Sequence, residues 1–158
     1  MNTHGTNSNI LYRHLLPLIN HFYTGFTYAL TKNNSLHFVK ELIIKYFNIS
    51  MASIIEFNKV MHDFLVDLTD VFPENDNIQN SLETFNDLVK INFKKPQQMF
   101  METVGKYADK ITKRDEIMFD VLKFPGFSFA TIWTDDISAG TKDAIWVYLN
   151  QLLYLCKK

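Results

Sequence analysis

The chain is poor in cysteine, glycine and proline, and it carries almost no net charge. Cys156 is the single cysteine among 158 residues, which excludes an internal disulfide framework and a cysteine-based zinc cluster and suits a reducing compartment. Five glycines and four prolines are too few for the turn-rich connections of an all-β sandwich or barrel. Sixteen basic residues against seventeen acidic leave a net charge of −1, so no whole-molecule field draws the chain to DNA or to an acidic membrane. Long apolar runs are missing as well. A bilayer span takes about 20 nearly uninterrupted apolar residues, whereas residues 10–30 contain Arg13, His14, Pro17, Asn20 and His21, and the run from Ala144 to Cys156 is too short. Met1 to Asn9 is polar without lysine or arginine, unlike the basic start of a secretory signal. A cytosolic protein with no membrane partner is the expectation.

What the chain does have is apolar and aromatic bulk, 47% and 15% of its residues. Disordered chains lack both, and a chain of this length has enough for one domain burying roughly 70% of its unfolded surface. The spacing of that bulk is helical. Leu11, Leu15, Leu18, Phe22 and Phe26 predict a helix over 10–31, with Pro17 and Gly25 inside it. Ser35 is a candidate cap for a helix over 36–47, followed by a short break at Asn48-Ile49-Ser50. A helix over 52–71 carries Val60, Met61, Phe64, Leu65 and Leu68 on one side and stops at Phe72-Pro73. Another follows over 76–91, and Pro96 opens the next. Thr112 is the expected cap of a helix running to Leu122, Phe124-Pro125-Gly126 a turn, and 127–137 either a strand or a short helix. Thr141 is the expected cap of a final helix that is apolar almost all round. The fold class is therefore all-α, a compact single-domain bundle of five to seven helices with the aromatic-rich C-terminal helix in or near the core.

The chemistry candidates are few. Glu56, Asp63, Asp67 and Asp70 stack along one helix face. They could form a metal or acid–base face, or an acidic docking stripe for a basic partner; a solvated face is favoured because no histidine shares it. His14, His21 and His37 lack the spacing of a ligand pair. No phosphate-cradling glycine loop, nucleophile elbow, Cys/His dyad or zinc-helix motif occurs, and no catalytic residue, metal or cofactor is nominated. Cys156, beside Lys157 and Lys158, could have some thiolate character.

Two surfaces remain. Lys90, Lys94, Lys95, Lys106, Lys110, Lys113 and Arg114 form the densest basic region. Phe93, Phe100 and Tyr107 are interleaved, as in proteins that bind single-stranded nucleic acid, although Asp109, Asp115 and Glu116 dilute the field. Trp133, Trp146, Tyr154 and Leu155 are nominated as interface anchors. The tryptophans read more readily as core, and Tyr154 and Leu155 stand evenly between core and interface.

Several segments in order carry a resemblance. They are Ile55-Glu56-Phe57-Asn58 to Phe64-Leu65, Phe72-Pro73-Glu74-Asn75, Pro96 with Phe100, and Tyr107-Ala108-Asp109-Lys110-Ile111 to Arg114-Asp115-Glu116 and Phe119. Ile132-Trp133-Thr134-Asp135 and Thr141-Lys142-Asp143-Ala144-Ile145-Trp146-Val147-Tyr148-Leu149 complete the set. From Met51 onward the chain resembles a family of small proteins of nucleocytoplasmic large DNA viruses, the giant viruses. No activity is attached to that family, so the resemblance implies origin and fold rather than a reaction. Residues 1–50 fall outside the pattern, and Met51 would make a natural start. Four basic residues against one acidic give 1–50 a charge of +3, and twelve against sixteen give 51–158 a charge of −4. The expected organisation is an N-terminal helical extension, 1–50, and a family-like core, 51–158.

Together these readings predict a non-enzymatic interaction or virion-associated module. It would bury an apolar helical face against a viral or host protein, or against a second copy, in the host cytoplasm, the virus factory or the virion. A nucleic-acid-associated protein using the basic region 90–114 is the alternative.

Overall fold

The computed structural model describes residues 36–158. The expected helix over 10–31, the Ser35 cap and the histidines at 14 and 21 lie outside the described residues, as does the side chain of His37. The chain divides after Ala52 into two compact units.

Helix α1, Leu36–Val71, crosses that division without interruption. The break expected at Asn48-Ile49-Ser50 is absent. Those residues cost a helix only about 0.5 kcal/mol each relative to alanine, against about 3 for proline, so nothing there stops propagation.

In the unit from Ser53 onward, α1 turns Phe57, Val60, Met61, Phe64, Leu65 and Leu68 inward. Helix α2, Asp76–Ile91, begins at Asn75, whose side chain accepts from the amides of Asn77 and Ile78 and so satisfies two otherwise unpaired donors. Helix α3, Lys95–Thr103, carries Pro96 in its first turn as expected. A 3₁₀ turn, Gly105–Tyr107, leads into the short α4, Ala108–Thr112.

Here two expected caps move. Thr112 ends a helix instead of starting one, and its hydroxyl donates back to the carbonyl of Ala108 at 2.9 Å. Arg114 then adopts a left-handed φ of 55°, and the amide of Asp115 closes on the carbonyl of Lys110. Asp115 caps a 3₁₀ segment, Glu116–Asp120, by accepting from the amide of Ile117. The Phe124-Pro125-Gly126 turn is the head of a minimal antiparallel hairpin, β1 Lys123–Phe124 and β2 Phe127–Ser128. A 3₁₀ turn follows over Phe129–Thr131, so the stretch 127–137 is neither a full strand nor an α-helix. The last helix, α5, covers Ala139–Lys157, and its cap is Ser138, which accepts from the amide of Thr141.

Helix α5 runs antiparallel to α1. Ser53 Oγ donates to the carbonyl of Leu155 at 2.7 Å, and Tyr148 OH donates to Asp67 Oδ2 at 2.5 Å. The core between them is a chain of rings. Phe57 meets Phe100 edge-on at 5.5 Å, Phe100 meets Phe124 at 6.0 Å, and Phe124 meets Phe129 at 5.7 Å. Phe129 leads to Phe119 at 5.1 Å, and Phe119 lies between Trp133 at 3.8 Å and Trp146 at 4.8 Å. The fold is all-α, and α5 lines this core with Ile145, Trp146, Leu149, Leu152, Leu153 and Leu155. Among the described residues no helix is long and apolar enough to cross a membrane.

Candidate interaction surface

Of the four nominated anchors, two belong to the interior. Trp146 is 3% exposed and Leu155 2%, so neither offers surface to a partner, a correction to their nomination. The reason is that α5 is enclosed by α1 on one side and by the ring cluster on the other. Trp133 is half-buried, stacked on Phe119, with its Nε1 donating to Glu116 Oε2 at 3.4 Å and Lys142 Nζ 5.1 Å from the ring. Tyr154 alone among the four stays open, at 60%, with Lys158 Nζ 5.0 Å from its ring. Val147, seven residues earlier on the same face, is 52% exposed.

The basic region does not present itself as one field. Lys90 pairs with Asp87 at 3.4 Å, Lys110 with Asp115 at 3.5 Å, and Arg114 with Asp143. Burial lowers the pKa of Lys94, and Lys106 lies 5.2 Å from the ring of Tyr107. Lys95 and Lys113 complete the seven. Phe100 is fully buried and has no face for a base to stack on.

The acidic face of α1 is arranged otherwise. Glu56, Asp63, Asp67 and Asp70 are all exposed. Among the described residues no lysine or arginine ion-pairs with any of them; Asp63 has His62 Nδ1 at 3.6 Å, and Asp67 accepts from Tyr148. That hydrogen bond, with burial and the charges of Asp67 and Asp63 adding to it, pushes the Tyr148 phenol up to about 12. An open groove of about 430 Å³ runs beside Asp67 and Asp70, between the end of α1 and the start of α5.

A second concavity was not foreseen. It lies beneath the Pro125-Gly126 turn, holds about 200 Å³, and has a floor of Met61, Leu65, Phe85 and Phe124. Leu88 and Met99 form its sides, and Thr84 stands at the mouth. The turn is fixed over it by contact with α2. Ser81 Oγ donates to the Pro125 carbonyl at 2.9 Å, and Gly126, at φ 99°, lies so near that a Cβ there would stand 1.9 Å from the same oxygen. Two methionine side chains give the floor and side a lining that adapts to different apolar shapes. The pieces come from α1, α2, α3 and the hairpin, so no local pattern reveals the pocket; the Phe-Pro-Gly turn was its only visible part.

Leu155's carbonyl accepts from both Ser53 and Gln97. Asn58 Nδ2 donates to the Phe93 carbonyl at 2.7 Å, while its buried Oδ1 has no partner among the described residues. Burial pushes the Cys156 thiol up to about 12, which overturns the expected thiolate character. Among the described residues no three of His, Cys, Asp and Glu stand together as a metal site would need. No protein-family model, no curated protein and no solved structure matches the chain.

Proposed function

We propose that the chain is a protein–protein interaction module of a large DNA virus, and that the pocket beneath the Pro125-Gly126 turn receives an apolar side chain of the partner. One observation carries the reading: a preformed apolar pocket of about 200 Å³ at the junction of three helices. Sites for whole small-molecule ligands usually hold about 300–1,000 Å³. This one has room for a single leucine, methionine or phenylalanine side chain. Seating such a group contributes about 1.5–3 kcal/mol, the scale of an interface anchor.

The pocket replaces Trp146 and Leu155 as the centre of the interface, and Tyr154 with Val147 forms a separate exposed stripe. The viral origin rests on the order of segments from Met51 to Leu149, and with it goes a place in the host cytoplasm, the virus factory or the virion. The pairing of Lys90, Lys110 and Arg114 with carboxylates weighs against the nucleic-acid alternative.

The experiment is a tagged capture from infected cells, with and without nuclease, comparing the natural chain with Thr84→Trp. The larger ring fills the mouth from an exposed position. A stoichiometric protein partner that resists nuclease and is lost with Thr84→Trp is the expected result. A partner held equally by both chains would remove the pocket from the interface, and recovery of nucleic acid would favour the alternative.

A further inference from the structure

We infer that the groove between the end of α1 and the first two turns of α5 receives a basic amphipathic helix of a partner protein. Its exposed apolar edge is Val71 at the end of α1, Phe64 and Leu68 lie almost wholly buried in its floor, and its α5 side carries Gly140 and Ala144, four residues apart. A helix has its i and i+4 residues on one face, so the two small residues leave a continuous shallow channel in which another helix can approach closely. Asp67 and Asp70 form the polar rim of this channel, and Asp63 lies one turn before Asp67 on the same face.

The charge of the rim identifies the occupant. Among the described residues none of Asp63, Asp67 and Asp70 has a lysine or arginine within ion-pair distance; Asp63 has His62 Nδ1 at 3.6 Å and Asp67 accepts from Tyr148. The start of α5 opposes them with about half a positive charge, and Ser138 already occupies the Thr141 amide. Three full negative charges against half a positive one leave the groove anionic. An apolar channel with an uncompensated acidic rim suits a helix with a leucine-type stripe flanked by lysine or arginine, the helix-in-groove mode of recognition. This surface has no lining residue in common with the pocket beneath the turn, so either reading can fail without the other.

Fluorescence anisotropy with the full chain tests it, using a labelled synthetic helix of leucine and lysine in amphipathic order. A peptide of the same composition in scrambled order and a leucine–glutamate helix serve as comparisons. The leucine–lysine helix is expected to bind saturably and more tightly than either. Ala144→Leu, at an exposed position, fills the channel and should weaken binding at least about tenfold. Asp63→Asn with Asp70→Asn should weaken it by about tenfold at low salt, with the difference shrinking as salt screens the rim. Circular dichroism of each variant confirms that folding is retained. The inference is overturned if the leucine–lysine helix does not bind, if the scrambled or acidic peptide binds as tightly, or if neither variant alters binding.

Discussion

Ser81 and Gly126 touch at the limit of what two residues can share: the serine hydroxyl that donates to Pro125 would lie 1.9 Å from a Cβ at 126. Any side chain at 126 must both adopt a φ of 99°, which L-residues disfavour, and displace α2 from the turn. Gly126→Ala is therefore expected to destabilise the protein by about 2–3 kcal/mol, and Ser81→Ala, which removes one hydrogen bond, by about 1. Denaturant unfolding of the three chains checks the order. Equal stability of Gly126→Ala and the natural chain would show that the turn is not locked.

Neighbours on α5 should behave oppositely. Leu155→Ala opens the core and should cost about 2–5 kcal/mol, whereas Tyr154→Ala, on the exposed face, should stay within about 0.5. Thermal unfolding separates them. Similar midpoints for the two would contradict the burial of Leu155.

Tyr148 should ionise only near pH 12, because its hydroxyl donates a hydrogen bond to the Asp67 carboxylate. Its pKa is raised relative to the unfolded chain, near 10. The associated stability is then complete below about pH 10 and fades as pH rises toward the folded value of about 12. Ultraviolet titration of Tyr148→Phe and Asp67→Asn beside the natural chain tests this. The first should delete the late-ionising component, and the second should bring it back toward the ordinary range. A titration curve unchanged by Asp67→Asn would refute the hydrogen bond as the cause.

For Cys156 the expectation is silence. With its thiol pushed up to about 12 by burial, it should react with a disulfide reagent at pH 8 at least about tenfold more slowly than in the urea-unfolded chain, because the thiolate is the reacting form. Equal rates would mean that the end of α5 frays open and exposes it.

How much of this was legible depended on the range over which each signal acts. Pro73, Asn75 and Pro96 act within a few bonds of themselves, and the boundaries of α2 and the start of α3 follow from them. Asn48 to Ser50 is weakly helix-averse, and weak propensity yields to propagation along α1. Thr112 and Thr141 are both capping residues by type, yet Asp115 and Ser138 stand three residues away with the same ability. Which one caps is decided by where Arg114 turns the chain and by how α5 meets α1. Lys90 with Asp87 was readable as neighbours three apart on a helix. Arg114 with Asp143 joins residues that only the fold brings together, and it is pairs of that kind that break up the basic region. The pocket is the extreme case, assembled from four segments with no local mark except its turn.

The ring cluster around Phe119 has an optical consequence. Trp133 and Trp146 are the only two indoles in the chain, their centroids are 5.7 Å apart, and both contact Phe119. At that separation an excitation passes readily from one ring to the other, so the intrinsic emission reports a single neighbourhood, where the segment 116–133 meets α5. Pro125 and Gly126, at the hairpin tip, make none of the ring contacts of either indole, so a change confined to the turn calls for a label placed there.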